Sequence, residues 1–192
     1  MKKLFMIAAM MVATLSANAQ NEVGQWSIKP MAGVNLASMT KGEDTKMRVG
    51  LAVGAELAVA AANNFEVSAG VLYSMQGVKE KWQILGASET VTYKFDYINI
   101  PILANLYVTR GLALKAGIQP GFNVSKKVSA SGGSTDVDDV KGFAFSVPVG
   151  LSYEFSGVVI DARYNWGLTK VVKDADPKHS VFTITLGYKI PF

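Results

Sequence analysis

Residues 180–192 read SVFTITLGYKIPF, an alternation of apolar and polar side chains that ends on an aromatic residue. The apolar positions are Phe182, Ile184, Leu186, Tyr188, Ile190 and Phe192. Because successive side chains of a β-strand point to opposite faces, this spacing predicts a strand with one apolar face. Neighbouring strands with the same alternation would extend both its apolar face and its polar face.

Seven earlier stretches show the same alternation. They lie at residues 26–38, 47–60, 65–77, 91–107, 112–127, 143–155 and 158–168. The links between stretches alternate between long polar segments (40–46, 78–90, 129–142 and 169–179) and tight turns of two to four residues. This pattern predicts an all-β fold, an eight-stranded antiparallel up-and-down barrel with long loops at one rim and short turns at the other.

The polar faces of the strands indicate which side of the barrel lies inside. In the stretch 112–127 this face carries Lys115, Gly117, Gln119, Gly121 and Asn123. A water-facing surface carries roughly 25–35% charged residues, whereas small and sparsely charged residues suit the narrow interior of an eight-stranded barrel. We therefore predict a transmembrane β-barrel with a polar, plugged interior. A soluble lipocalin-like ligand-binding barrel, with its apolar face inside, is the alternative.

Residues 1–19 are predicted to be a cleaved signal peptide. They begin with Lys2 and Lys3, continue with an apolar run and end on Ala17-Asn18-Ala19, the small-x-small pattern that precedes the cleavage site. The apolar run is shorter than the roughly 20 residues that a spanning helix needs. Residues 20–192 are then expected to form a single barrel domain.

Composition argues against several other classes of protein. Charged residues make up 18% of the chain, which is below the roughly 25% of ordinary soluble domains. Without the two signal-peptide lysines, the 19 basic residues fall to 17 against 15 acidic ones, so the net charge is about +2 and no nucleic-acid partner is indicated. The chain has no cysteine, which excludes disulfides.

Nine charged residues fall on the predicted inward face. They are Lys29, Arg48, Glu56, Glu66, Lys115, Glu154, Asp161, Arg163 and Lys189. A functional interpretation would make them a selectivity filter or a proton path. We favour a structural network of paired charges, because an unpaired buried charge costs several kcal/mol and partners lie on neighbouring strands.

Aromatic residues lie near the ends of the apolar faces, with aliphatic residues between them. They are Trp26, Phe143, Tyr153, Phe155, Tyr164, Trp166, Tyr188 and Phe192. Aromatic side chains at the edges of an apolar band are typical of the girdles that transmembrane barrels place at the level of the lipid headgroups. Prolines 101, 120 and 148 interrupt the pattern, and each is expected to produce a β-bulge or a local bend because it lacks a backbone donor.

His179 is the single histidine of the chain and lies beside Ser180 at the mouth of the last predicted strand. A histidine next to a hydroxyl can serve nucleophilic catalysis, but a third group that would orient it is not identifiable. A solvated loop histidine is the better interpretation. We therefore expect no enzyme activity, no catalytic residue and no cofactor.

The links 129–142 and 169–179 also contain five aspartates, and the link 78–90 contains a short apolar segment. The aspartates lack the spacing, central glycine and closing glutamate of a calcium loop, so no metal site is predicted. They are Asp136, Asp138, Asp139, Asp174 and Asp176. The apolar residues Trp82, Ile84 and Leu85 either pack on a ribbon that extends from the barrel or contact a partner protein or lipid headgroup.

Several segments of the chain resemble the PorT-like outer-membrane β-barrel family of small, exported, eight-stranded barrels. The segments are GVNL at 33–36, GVLYSMQG at 70–77, YINIPIL at 97–103, AGIQPG at 116–121 and DARYNWGL at 161–168. The shape is also similar to that of small adhesin and defence barrels of OmpX type, which act through protruding loops.

This resemblance implies location in the outer membrane of a gram-negative bacterium. It also implies contact with outer-membrane lipid and insertion by the barrel-assembly machinery, which reads a C-terminal aromatic residue such as Phe192. The expected function is that of a non-enzymatic outer-membrane protein that is structural or acts through its extracellular loops. The alternative from the same resemblance is an accessory component of a protein secretion or transport system.

Overall fold

The computed structural model describes residues 22–39, 45–84, 87–130, 133–136, 142–170 and 178–192. These residues form β-strands joined by short turns. The strands are β1 (Trp26–Met39), β2 (Thr45–Ala62), β3 (Phe65–Ile84), β4 (Ala87–Asn99), β5 (Ile102–Tyr107), β6 (Leu112–Ala130), β7 (Gly133–Asp136), β8 (Phe143–Phe155), β9 (Val158–Lys170), β10 (Lys178–Tyr188) and β11 (Ile190–Pro191).

The strands close into one antiparallel barrel. Their order is β10-β9-β8-β6-β4-β3-β2-β1, and β1 pairs with β10 to close the wall. β4 and β5 together form one barrel strand interrupted at Ile100 and Pro101, while β10 and β11 form the last one. β7 pairs with β6 in the fifth link. The eight-stranded up-and-down barrel predicted from the alternation is therefore confirmed.

The two rims of the barrel differ. Tight turns join β2 to β3, β5 to β6 and β8 to β9, and the last of these has positive φ angles at Ser156 and Gly157, as in the type I′ turns of hairpins. The first strand begins and the last strand ends at this same rim, where the Phe192 backbone N–H donates to the Trp26 carbonyl at 2.9 Å. We call this end the turn-side rim and the opposite end the loop-side rim.

Strands at the loop-side rim extend further than predicted. Residues 78–90 are predicted to form a long link, but β3 and β4 stay paired as far as Ile84 and Ala87, which forms the extended ribbon expected as one alternative for this segment. β3 has 20 residues and β8 has 13, while a tilted membrane strand needs about 9–11. The β3–β4 hairpin therefore projects well beyond the length needed to cross a membrane, and continued pairing satisfies its backbone groups.

The faces of the wall have the predicted inverted polarity. Phe155 is 70% exposed and Leu186 is 58% exposed on the outside, whereas Lys115 and Arg163 are 4% and 3% exposed in the lumen. The soluble lipocalin-like alternative required the opposite arrangement and is wrong. A barrel with apolar side chains outside and polar ones inside is suited to lipid, because each strand satisfies its backbone hydrogen bonds within the wall.

The prolines affect the strands less than predicted. Pro101 interrupts the strand between β4 and β5, but Pro120 pairs with Phe145 and Pro148 pairs with Asn165 without a shift in register. A β-bulge is therefore not formed at Pro120 or Pro148, although the β6–β8 ladder lacks the pairs of Gly117 with Pro148 and Ile118 with Val147. A proline lacks a donor but keeps its carbonyl, and the Pro120 carbonyl accepts a hydrogen bond from the Ile100 backbone N–H at 2.8 Å.

Candidate functional site

The middle of the lumen holds five charged side chains, which we call the central cluster. Its members are Lys29 on β1, Glu56 on β2, Lys115 on β6, and Asp161 and Arg163 on β9. Lys29 and Glu56 are direct partners in the β1–β2 ladder. Asp161 and Arg163 are two residues apart on one strand and therefore share the inward face.

Each carboxylate of the central cluster contacts all three cations. Glu56 Oε2 lies 2.7 Å from Lys29 Nζ and 3.5 Å from Lys115 Nζ, and Glu56 Oε1 pairs with Arg163 Nη2. Asp161 Oδ2 lies 2.5 Å from Lys115 Nζ and 3.5 Å from Lys29 Nζ, while Asp161 Oδ1 lies 2.6 Å from Arg163 Nε. The cluster thus combines three cationic and two anionic side chains, and all five are buried.

A glycine in β8 lies beside this cluster. Gly150 lies between Lys115 and Arg163 in the sheet and is the direct ladder partner of both. A Cβ at this position would lie 2.2 Å from the Ala162 carbonyl oxygen, which is far inside van der Waals contact. The absence of a side chain here lets β8 pack closely against the β9 backbone that carries Arg163.

A second group, the turn-side cluster, lies between the central cluster and the short turns. Lys189 Nζ lies 2.7 Å from Glu66 Oε2 and 3.5 Å from Glu154 Oε2, and it donates to the Tyr107 hydroxyl at 3.0 Å. This cluster has one cation and two carboxylates, so its excess negative charge balances the excess positive charge of the central cluster. A cavity of about 20 Å³ lies between the two clusters, which is enough for about one water molecule.

Among the described side chains, the loop-side half of the lumen holds neutral groups, which we call the amide–hydroxyl layer. Asn165 Nδ2 donates to Thr183 Oγ1 at 3.0 Å, and Thr183 Oγ1 donates to Asn35 Oδ1 at 2.8 Å. Asn35 Nδ2 then donates to Ser74 Oγ at 2.8 Å, and Gln76 Nε2 donates to the same oxygen at 2.9 Å. The chain of hydrogen bonds links β9, β10, β1 and β3 across the interior.

Eight of the nine charged residues that the sequence places on the inward face have described side chains, and these make the ion pairs of the two clusters. The ninth, Arg48, pairs with Ala37 through its backbone, and its side chain lies outside the described residues. The sequence analysis missed Tyr107, Asn35 and Thr183. The alternation within each strand would have placed all three on the inward face, but neutral side chains carry no separate signal.

The eight aromatic residues singled out from the sequence are all exposed on the outer surface. Trp26, Tyr153, Phe155, Tyr188 and Phe192 lie towards the turn-side rim, because they are close to the tight turns or the chain end. The other three lie towards the loop-side rim, where the Tyr164 hydroxyl is 2.8 Å from Ser180 Oγ and the rings of Phe122 and Phe143 meet edge to face.

The loop residues singled out from the sequence are only partly described. His179 lies in β10 and pairs with Met39, and Trp82 and Ile84 lie in β3, but the side chains of these three lie outside the described residues. Asp136 is described through its backbone in β7. Leu85 and the remaining loop aspartates lie outside the described residues altogether. The loop-side contacts proposed for them thus remain predictions.

Within the described part of the chain, no group of three or more His, Cys, Asp or Glu side chains is arranged to hold a metal ion. The same residues include no helix that is long and apolar enough to cross a membrane.

Comparisons with known proteins identify the class of the barrel. A family model described as an outer membrane protein beta-barrel domain matches residues 18–173. The crystal structure of Ail, the attachment invasion locus protein of Yersinia pestis, in complex with the heparin analogue sucrose octasulfate, matches with a TM-score of 0.55 at 16% identity, over 88% of this chain and 100% of that one. Neisserial surface protein A matches with a TM-score of 0.51 at 15% identity, over 87% and 97%. Curated protein sequences gave no match.

Proposed function

The chain belongs to the outer membrane protein beta-barrel domain family, and we propose that it is a non-enzymatic integral protein of the outer membrane of a gram-negative bacterium. It reaches this membrane through a signal peptide, residues 1–19, that is cleaved. The barrel spans the bilayer, the tight turns face the periplasm, and the long hairpins face the outside. The observation that carries this proposal is the plugged lumen. Both clusters and the amide–hydroxyl layer fill the interior of a barrel whose outer face is apolar.

The ion clusters act structurally in this proposal. Two cavities in the lumen, both lined by described residues, have volumes of about 20 and 30 Å³, each enough for about one water molecule. A conducting pore would need a continuous wet path, and buried charges that each contact several opposite charges resist the rearrangement that would open one. The network therefore ties β1, β2, β6 and β9 together across the lumen.

The aromatic girdle sets the depth of the barrel in the bilayer. Rings at both rims flank aliphatic side chains such as Leu151 and Ile160, which face outward between them. Tyrosine and tryptophan favour the headgroup region because they combine an apolar ring with a polar group. This arrangement supports outer-membrane lipid as the molecule that surrounds the barrel.

Electrophoresis and bilayer recordings test this proposal together. The purified protein should migrate differently on a denaturing gel before and after boiling, because a folded membrane barrel resists the detergent until it is heated. In planar bilayers it should produce no large, stable single-channel currents. Identical migration before and after heating would contradict a folded membrane barrel, whereas large stable currents would contradict the plugged lumen alone.

Loop-side contacts provide the interaction with other molecules in this proposal. β3 and β4 remain paired to Ile84 and Ala87, so the hairpin carries Trp82 and Ile84 away from the barrel wall. The apolar residues Trp82, Ile84 and Leu85 are then presented as a contact for a protein partner at the extracellular side. The hairpin also favours the second candidate, an accessory role in secretion or transport like that of the PorT-like proteins, because a projecting ribbon can pair with a partner strand.

Photo-crosslinking separates these two roles. A photoreactive amino acid in place of Trp82 should capture a component of a secretion or transport machine if the accessory role is correct. A photoreactive residue in place of Phe155, at the turn-side rim, is the matched control. Crosslinks to lipid alone at both positions would contradict a protein partner at the hairpin.

The C-terminal strand is proposed to carry the signal for insertion. β10 and β11 close the barrel against β1, and the chain ends on Phe192, which is exposed at the turn-side rim. We expect Phe192→Ala to lower the amount of heat-modifiable protein in cells that depend on the barrel-assembly machinery. Phe155→Ala, which removes an exposed ring at the same rim, should leave that amount close to the wild-type level.

A further inference from the structure

The ladder between β8 and β9 ends before the two strands do. β8 begins at Phe143 and β9 continues to Lys170, but their ladder ends at the pair Ser146 and Gly167. In continued register Ala144 would face Thr169. Instead, the Phe145 backbone N–H donates to the Thr169 hydroxyl at 2.9 Å. One side-chain hydrogen bond thus replaces the backbone ladder at the loop-side end of the β8–β9 seam.

A cavity of about 30 Å³ lies directly behind this part of the seam. Ala144, Phe145, Ser146, Gly167 and Thr169 line it from the two strands of the seam. The residues that line it from the rest of the lumen are Gln76, Asn99, Gln119, Asn165 and Val181. The lining therefore consists of neutral amides, hydroxyls and apolar groups, and its volume suits one hydroxyl or water-sized group.

One residue that lines the cavity, Asn165, has a buried acceptor without a donor among the described residues. Asn165 is 6% exposed, and its Nδ2 donates to Thr183 Oγ1 at 3.0 Å and to the Val181 carbonyl at 3.2 Å. Its Oδ1 is buried and has no hydrogen-bond partner among the described residues. An unsatisfied buried acceptor is unfavourable, so a group that brings a donor into the cavity gains a hydrogen bond that the protein alone does not make.

The outer side of the seam is apolar. Phe143 and Leu168 are exposed on the outer face of the wall, next to the place where the ladder ends. A ligand that reaches the cavity between β8 and β9 would therefore have apolar side chains along its outer part and neutral polar groups around its inner part. An uncharged head is favoured, since the lining offers no charged side chain to compensate an ion.

We propose that the loop-side end of the β8–β9 seam is a binding site for a small amphiphile with an uncharged, hydrogen-bond-donating head, such as an alcohol. The head occupies the cavity and donates to Asn165 Oδ1, and the apolar part lies between the strands against Phe145 and Leu168. The site does not depend on the loop-side protein contact proposed above, although it requires that the barrel be folded in lipid.

Binding is measured on the full barrel in lipid nanodiscs by fluorine NMR, with 4-fluorobenzyl alcohol as the probe. The expected result is saturable binding in slow or intermediate exchange, above the partitioning seen with empty nanodiscs. Ala144→Leu fills the cavity and should weaken binding at least tenfold. Ala162→Leu makes the same change on the outer face of β9 and should leave binding within twofold of wild type.

Two related probes test the chemistry of the head. 4-Fluorotoluene lacks the donor and 4-fluorobenzylammonium carries a charge, and each should bind at least tenfold more weakly than the alcohol. Equal binding of 4-fluorotoluene would overturn recognition by Asn165. Equal binding of the ammonium would overturn the preference for a neutral head.

A reversible crosslink tests the route between the strands, because the chain has no native cysteine. The double variant Ala144→Cys/Thr169→Cys places two thiols across the open end of the seam, and oxidation should slow probe entry at least tenfold relative to the reduced form. Leu151→Cys/Ala162→Cys, at a paired position lower on the same strands, should show no such difference. Absence of saturable binding in a heat-modifiable wild-type protein would overturn the site and leave the proposed function standing.

Discussion

The two halves of the lumen are built from different chemistry. The half nearer the short turns holds the central and turn-side clusters, in which ions contact one another at 2.5–3.5 Å. Among the described residues, the half nearer the loops holds neutral amides and hydroxyls joined by hydrogen bonds. The β8–β9 ladder is continuous beside the central cluster and ends at Ser146 and Gly167, in the neutral half. A buried ion needs fixed partners, whereas a neutral group tolerates a looser wall.

This comparison leads to an order of stabilities. Removing one member of a buried ion cluster leaves its partners uncompensated, which costs about 3–5 kcal/mol. Removing one neutral hydrogen bond costs about 0.5–1.5 kcal/mol. Substitutions in the charged half should therefore destabilise the barrel more than matched substitutions in the neutral half.

Arg163→Met should have the largest effect. Arg163 contacts both carboxylates of the central cluster, so its loss leaves Glu56 and Asp161 with the two lysines alone. We expect the free energy of unfolding in lipid to fall by about 4 kcal/mol, measured by urea titration with gel mobility as the readout. Arg163→Lys keeps the charge and should lose clearly less. A loss smaller than that of the neutral-half variant Thr183→Val would contradict the expectation that the charged half contributes more to stability.

Gly150→Ala should have the second largest effect. The added Cβ would meet the Ala162 carbonyl at 2.2 Å and disturb the wall beside Lys115 and Arg163. Overpacking of this kind costs about 2 kcal/mol, which the same urea titration would detect. Gly142→Ala is the matched control, since nothing lies within 4 Å of its added Cβ. Equal free energies of unfolding for the two variants would show that the wall beside the cluster accommodates the added methyl group.

Lys189→Met tests the turn-side cluster and should have a smaller effect than Arg163→Met. The change removes the cation that Glu66, Glu154 and the Tyr107 hydroxyl share. Because this cluster is closer to the rim, water can reach the remaining carboxylates, and we expect a loss of about 2 kcal/mol. The decisive measurement is the difference from Arg163→Met in one titration series. A larger loss for Lys189→Met would show that the turn-side cluster stabilises the barrel more than the central cluster does.

Thr183→Val should have the smallest effect. The substitution preserves shape but removes the hydroxyl that links Asn165 to Asn35. We expect a loss of about 1 kcal/mol, with migration before and after heating unchanged. Ile184→Val, a change of one methylene group on the outer face of the same strand, is the control for side-chain shape. A loss as large as that of Arg163→Met would mean that the neutral half is as tightly coupled as the charged half.

Local alternation could be used to predict a large part of this structure. It assigned Lys115 and Arg163 to the inside and Phe155 and Leu186 to the outside, because the side-chain period of a strand is two. The strand ends at the loop-side rim could not be predicted in the same way. Beyond the lipid both faces of the β3–β4 hairpin can be polar, so the alternation fades although pairing continues to Ile84 and Ala87.

By itself, the sequence determined the class of the fold, the number of barrel strands and the face on which each side chain lies, because these follow from short-range periodicity and turn chemistry. The tertiary structure decided which groups meet. Lys115 and Asp161 are 46 residues apart, and Lys189 and Glu66 are 123 apart, so each contact forms only when the barrel closes. The tertiary structure also decided that Pro148 stays in register while the ladder beyond Ser146 ends. Such outcomes depend on the stagger of neighbouring strands, which no single strand encodes.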